Sequence, residues 1–190
     1  MFILKKKYFL IIESIKDIDL SNIKKINKFN IIYRNKCLKD NLNEIVRFRK
    51  MCNSKKIGFF ISNRIKLAHA LKADGVYISA NNNNLGLVHL KYTNFKVIGA
   101  AHNLKELKIK ILQRCSFILY SRLFKTSYKF KKGHLGILRF NQICKSLKKN
   151  LVPLGGISLS NLNKLKLINS DSFAILSAVK KKPAIISRLF

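Results

Sequence analysis

The chain has 190 residues, with 39 Lys and Arg against 8 Asp and Glu, for a formal net charge of +31. Hydrophobic residues make up 48% of it, enough to furnish the core of one domain and to exclude simple disorder; two Pro and eight Gly exclude collagen-like and low-complexity classes. Lys, Asn and Ile are enriched together along the whole length, as AT-rich coding produces. The charge therefore reads as a solvated lysine coat, with non-specific polyanion binding but no specific nucleic-acid partner.

The first apolar run, residues 8–12, follows Lys5, Lys6 and Lys7 and ends at Glu13, too soon for a signal peptide. It reads as a buried strand, and so does 29–33. Residues 41–51 follow with a helical period that places Leu42, Ile45, Val46 and Phe48 on one side. Strands are predicted at 57–61, 75–78 and 95–98. A helix over 104–112, capped by Asn103, presents Leu104, Leu107, Ile111 and Leu112 on one side. Strands follow at 116–119 and 151–154. Leu162, Leu165 and Ile168 repeat a helical pattern after a Ser160 cap, and a last strand spans 172–176. The runs are continuous, as in strands covered on both faces.

Eight strands in this length leave about 24 residues per strand–helix unit. Such alternation predicts parallel strands with crossover helices, here a single domain over residues 1–190 of the α/β class, a short (β/α)8 TIM barrel. An open doubly wound sheet is the alternative, but no Gly-x-Gly-x-x-Gly follows the first strand. Cys37, Cys52, Cys115 and Cys144 show neither a CxxC nor zinc spacing, and no apolar run approaches the ~18 residues of a membrane helix. A cytoplasmic protein with free thiols and no membrane partner is expected.

In such a barrel the site lies at the C-terminal ends of the strands. There the sequence places Arg34 and Lys36, then Ser62, Asn63 and Arg64, then 79–84, His102, 121–129, Gly155 and Gly156, and Ser177. A basic, amide- and hydroxyl-rich rim with a Gly-Gly turn is suited to phosphate, because glycine lets backbone N–H groups approach an anion. Arg34, Lys36 and Lys129 add charge. The same turn also serves as an ordinary tight strand–helix connection. Only Glu13 directly follows a strand, so the rim is expected to hold at most one carboxylate; Asp74 and Asp171 precede strands at the opposite, stability face.

The segments Tyr33-Arg34-Asn35-Lys36, Ile98-Gly99-Ala100-Ala101-His102, Leu123-Phe124-Lys125-Thr126, Leu154-Gly155-Gly156-Ile157 and Ala174-Ile175-Leu176-Ser177-Ala178 occur in this order. With Leu67 to Val76 they resemble thiamine-phosphate synthases and their TenI-type thiazole tautomerase relatives, from about Tyr8 to Val179. The resemblance implies a transferase of thiamine biosynthesis that joins a pyrimidine diphosphate to a thiazole phosphate, releases pyrophosphate and uses Mg2+. It implies that Arg34 and Lys36 bind the diphosphate, that Thr126 and Lys129 contact the substrates, and that Gly155, Gly156 and Ser177 hold the thiazole phosphate. His102 and Lys129 are the catalytic candidates. Asn63 and Asn82 stand where the family usually has metal-binding aspartates. With neutral amides there, Mg2+ is expected to be held mainly through the substrate diphosphate. Further departures are Ile32 for a Gln, Ala101 for a Ser and Tyr128 for a Thr. Neutral metal positions leave two alternatives open: a metal-free tautomerase using His102, or a non-catalytic barrel binding thiamine precursors or phosphates. His69 reads as structural, and His89 and His134 lack partners for a triad.

Overall fold

A computed structural model describes residues 6–21, 28–35, 40–92, 94–126, 133–147 and 150–176. Its strands are β1 (Lys7–Ile12), β2 (Phe29–Tyr33), β3 (Gly58–Ser62), β4 (Gly75–Ile78), β5 (Lys96–Ala101), β6 (Phe117–Ser121), β7 (Leu151–Leu154) and β8 (Ser172–Ile175). They form a closed barrel in chain order, every neighbouring pair parallel. Closure excludes the open sheet: Leu10 of β1 lies opposite Ile31 of β2 on one side and Ile175 of β8 on the other.

Alternation along each strand divides the core into two layers. Phe9, Ile11, Ile32, Phe60, Tyr77, Ile98, Ala100, Leu119, Val152 and Ala174 fill the barrel interior. The intervening residues, such as Tyr8, Leu10, Ile31, Phe59, Val76 and Ile118, pack outward with Ile45, Phe48, Leu107 and Phe140 of the surrounding helices. Both layers being apolar explains the uninterrupted hydrophobic runs in the sequence.

Among the described residues, four crossovers carry α-helices: α1 (Leu42–Ser54), α2 (Ile65–Ala70), α3 (Leu104–Leu112) and α4 (Gly136–Leu147). After β4 and β7 the chain instead forms 3-10 segments, Leu85–Tyr92 and Leu159–Leu167. The second corrects the expected α-helix. Its apolar residues 159, 162 and 165 recur every third position, which matches three residues per turn and not 3.6. Its cap is Ser158, whose N–H donates to Asn161 Oδ1 at 2.9 Å, and not Ser160, which lies inside the segment.

Two predicted stripes are also corrected. Leu42 is exposed on α1, where Ile45, Phe48 and Cys52 are buried. On α3, Leu104 and Leu112 are 57% and 58% exposed, and the buried residues are Leu107 and Lys110. A lysine is tolerated on that face because carbonyl oxygens receive its ammonium (below).

The N-terminal end of the barrel serves stability, as expected for Asp74 and Asp171. Asp74 accepts from the Phe59 N–H at 2.7 Å and from Arg49 at 3.1 Å; Asp171 pairs with Lys6 at 2.7 Å. Next to Asp74, Gly75 lies opposite Lys96 of β5, and a Cβ built on it would stand 1.9 Å from the Lys96 carbonyl oxygen. That oxygen belongs to the ladder and cannot move aside. Gly75→Ala should therefore cost about 3 kcal/mol or more of stability, read as a lowered midpoint in urea denaturation.

Candidate active site

Pairing in register brings the C-terminal strand ends to one level. Tyr33 is opposite both Ile12 and Ile61, Ser62 opposite Tyr77, Ala101 opposite Tyr120, and Ser121 opposite Leu154. The residues that follow these ends form the rim. Arg34, Asn63, Asn82, His102, Thr126, Gly155 and Gly156 all lie on it. Lys36, Lys129 and Ser177 lie outside the described residues.

Arg34 follows β2 and pairs with Glu13 after β1, Nη2 to Oε1 at 3.1 Å. Its positive charge also acts on the hydroxyl of Tyr77 in the barrel interior, whose pKa burial pushes up and Arg34 draws down. Its Nε is buried with no partner among the described residues, a donor left over for a ligand.

Asp40, which leads into α1, ties the first two loops together. It accepts from Ser14 Oγ at 2.7 Å, from the Ile15 N–H at 3.0 Å and from the Tyr33 hydroxyl at 2.8 Å. Partial burial pushes its carboxyl pKa up, but the bonds from Ser14, Tyr33 and Ile15 outweigh burial and hold it below the usual value. Asp17 accepts from the N–H groups of Glu13 and Ser14, and Glu106 from that of His102 at 2.6 Å. The expectation of at most one rim carboxylate is thus corrected. Acids that precede or open helices sit at the same end as the residues that follow strands, and sequence position relative to a strand does not show this.

The amides expected at the metal positions meet each other. Asn63 Oδ1 accepts from the Ser79 N–H at 3.1 Å and from Asn82 Nδ2 at 3.4 Å, while Asn63 Nδ2 donates to Ser79 Oγ at 2.9 Å. Asn63 adopts φ of +55°, a left-handed conformation that Asn tolerates. Asn82 Oδ1 accepts from the Asn84 N–H at 3.1 Å. Behind this loop, Lys110 Nζ donates to the Asn82 carbonyl at 2.6 Å, and Gln113 Nε2 donates to the carbonyls of Asn82 and Asn84 at 2.9 and 3.0 Å.

His102 follows β5, and its Nδ1 shares a 2.5 Å hydrogen bond with the buried Ser121 hydroxyl at the end of β6. His69 packs on Phe95 with ring centroids 4.4 Å apart, and His89 bonds the Gly86 carbonyl, both local roles.

Across the rim, Gly155 and Gly156 have φ of +94° and +71°. A Cβ on Gly156 would lie 2.5 Å from the Phe124 carbonyl oxygen and 2.6 Å from that of Lys125, so glycine is required where the β6 and β7 loops touch. The Phe124 N–H donates to the Gly155 carbonyl at 3.1 Å, and Asn161 Nδ2 to that of Gly156 at 2.7 Å. Arg122 lies over Gly155 and donates to Thr126 Oγ1 at 3.4 Å. A cavity of about 600 Å3 opens at the opposite end of the barrel, lined by Lys6, Lys7, Phe117, Asn150 and Asp171 among others. Lys6 is paired with Asp171, and Lys7 lies over the Phe117 ring at 5.1 Å, so it shows no comparable set of waiting donors.

Sequence reasoning missed Ser121, Arg122, Lys110 and Gln113. The first two were legible only as members of a loop. The spacing 107, 110, 113 does mark one helical face, but a lysine on it reads as solvated.

Fold and rim define a (β/α)8 barrel with polar and basic side chains at its C-terminal face. A family model described as thiamine monophosphate synthase matches residues 21–179. Thiamine-phosphate synthase of Prochlorococcus marinus (strain SARG) is 31% identical over 154 residues, covering 78% of this chain and 44% of the relative. That of P. marinus subsp. pastoris is 29% identical over 142 residues, covering 74% and 40%. The Clostridioides difficile synthase is 27% identical over 141 residues, covering 74% and 67%. The chain thus spans less than half the length of the two Prochlorococcus relatives. The structure of a thiamine phosphate pyrophosphorylase from Pyrococcus furiosus superposes with a TM-score of 0.71 at 18% identity, covering 97% of both chains, a likeness of fold. The chain belongs to the thiamine monophosphate synthase family.

The Mg2+ implied for this family does not fit the protein groups present. The Asn63 and Asn82 side-chain oxygens are neutral and already accept hydrogen bonds, and no cluster of three His, Cys, Asp or Glu occurs among the described residues.

The Asp40 network yields a test. Its depressed pKa contributes stability above the unfolded value near 3.8, lost as the pH falls through the lower folded value. Asp40→Asn should cost about 1 kcal/mol near neutral pH, and the difference from wild type should vanish on acidification. Urea denaturation between pH 7 and pH 2.5 measures it.

Proposed function

We propose that the chain acts in thiamine biosynthesis as a thiamine-phosphate synthase, coupling a pyrimidine diphosphate to a thiazole phosphate with release of pyrophosphate. The observation that carries this reading is the buried, unpartnered Arg34 Nε at the rim. It supplies a donor for one anion, while the Gly155–Gly156 turn after β7 supplies a second anion-receptive element. Two anionic substrates require two such places.

The C–O bond between the pyrimidine methylene and the diphosphate breaks, and its electron pair leaves with pyrophosphate. The thiazole nitrogen then donates its lone pair to that carbon and forms the C–N bond. Little covalent chemistry falls to the protein, which orients the partners and stabilises the leaving anion. Arg34 and Lys36 bind the diphosphate. Gly155, Gly156 and Ser177 take the thiazole phosphate, with Thr126 and Lys129 between. Mg2+, where present, is carried by the diphosphate oxygens. The partners are small phosphorylated molecules. No helix among the described residues is long and apolar enough to cross a membrane. Cys52, Cys115 and Cys144 are free, with burial raising their thiol pKa values to about 12, 12 and 11; this fits inert thiols in the cytoplasm.

The bond between His102 Nδ1 and Ser121 favours a second reading, a tautomerase in which an oriented imidazole moves a proton. A coupling assay with both precursors, with and without Mg2+, separates the two. The synthase forms thiamine phosphate, and Asn63→Asp with Asn82→Asp lowers the Mg2+ it needs. The tautomerase forms none, ignores that pair of changes and loses its isomerase rate in His102→Ala.

Anion binding is testable without turnover. Phosphate and pyrophosphate should raise the melting temperature, since a ligand of the folded state stabilises it. Gly156→Asp lowers the baseline by its collision with the Phe124 and Lys125 carbonyls, and should in addition abolish the phosphate-induced shift. Arg34→Gln should weaken the shift given by pyrophosphate. Shifts equal to wild type in both variants would move the anion site elsewhere.

A further inference from the structure

Lys110 is fully buried, and among the described residues it forms no ion pair with a carboxylate. Buried lysines are rare because desolvation opposes the charge, so this one calls for a physical reason. Its stem lies against Gly99 of β5, where a Cβ would stand 3.0 Å from Lys110 Cδ, so the glycine makes room for it. Its Nζ meets two acceptors, the Asn82 carbonyl at 2.6 Å and Gln113 Oε1 at 3.0 Å. Both favour the charged form, while burial draws the lysine pKa down from the usual value. Gln113 is fixed in the matching orientation, because its Nε2 is committed to the carbonyls of Asn82 and Asn84. The group cannot snorkel to water, and its charge lies directly behind the loop whose Asn82 side chain reaches Asn63.

We propose that Lys110 is the resident cation of the rim beside β3 and β4, a positioning residue that holds the Asn82 loop and lends positive potential to an anion bound over Asn63 and Asn82. This rests on the synthase reading for the identity of that anion, a diphosphate. A protein-held metal finds neutral, occupied amides there, whereas an anion finds a fixed charge screened from water, where its field is attenuated less than that of a surface lysine. Asn82 takes the ammonium's bond at its backbone carbonyl, leaving its side chain to the rim. The positive charge thus comes with the fold and needs no carboxylate to hold it.

Two substitutions separate this role from a structural one. Lys110→Met removes the charge and preserves the length of the stem, while Gln113 continues to hold the Asn82 and Asn84 carbonyls. Loss of the charge removes its desolvation cost, while Gln113 Oε1 loses the donor it had in Lys110, so the two effects on the melting temperature oppose each other. The expected result is about tenfold weaker pyrophosphate binding, measured calorimetrically in EDTA. Gln113→Glu places a carboxylate against the ammonium and should weaken pyrophosphate by a similar factor, which keeps the test open should the methionine variant fail to fold. Wild-type affinity in the variants that fold, with or without a fall in melting temperature, would overturn the proposal and leave Lys110 a structural role alone. Failure of the wild-type protein to bind pyrophosphate would overturn the synthase reading itself, and the proposal with it.

Discussion

Closure of the ladder between β1 and β8 is the constraint on which the molecule depends. Lys7 to Leu10 lie opposite Ser172 to Ile175, and with that pairing no strand is left with an open edge. Every strand is then covered on both faces, so interior and exterior positions alike must be apolar. The interior must also be filled by few side chains, and large Phe9 and Phe60 are accommodated by small Ala100 and Ala174. Closure fixes register, and register sets Arg34, Asn63, His102 and Gly155 on one rim although they are scattered over more than a hundred residues of sequence.

Among the described residues, neighbouring rim loops are fastened to each other. Asp40 joins the loops after β1 and β2, Asn63 and Ser79 those after β3 and β4, His102 and Ser121 those after β5 and β6, and Phe124 and Gly155 those after β6 and β7. Each fastening links neighbouring strands, so the rim forms a belt of local contacts. Preorganisation of this kind suits the proposed reaction, in which the protein would mainly orient two substrates.

Much of this was legible in sequence because closure imposes a strong pattern. Continuous apolar runs of about five residues fit strands covered on both faces, and their regular alternation with helical stretches pointed to the barrel. The rim residues followed from the strand ends. What sequence could not show was the set of contacts between loops. Asp40 reads as an approach to a helix, and only the fold shows that it meets Ser14 across 26 positions. Lys110 reads as one of many lysines, and only the positions of Asn82 and Gln113 distinguish it from a solvated one. The 3-10 segment after β7 was in principle readable from its spacing of three, but a helical period of 3.6 is the commoner explanation of such a stripe.

The disposition of the acids explains why such a rim favours anions over a protein-held cation. Asp17, Asp40 and Glu106 spend their oxygens on backbone N–H groups and on neighbouring side chains, and Glu13 is matched to Arg34. No three His, Cys, Asp or Glu come together to hold a metal among the described residues. Asn63 and Asn82 are amides, with the Lys110 amine behind them. An approaching polyphosphate therefore meets guanidinium, amide N–H and buried ammonium, set within a molecule of net charge +31 whose long-range field draws anions inward. The lysine coat that composition alone explains then has a physical consequence even without selection for it. It raises the encounter rate of multiply charged anions at low ionic strength, and at the rim each acid described is already committed to a partner, so none is left to oppose that attraction unpaired.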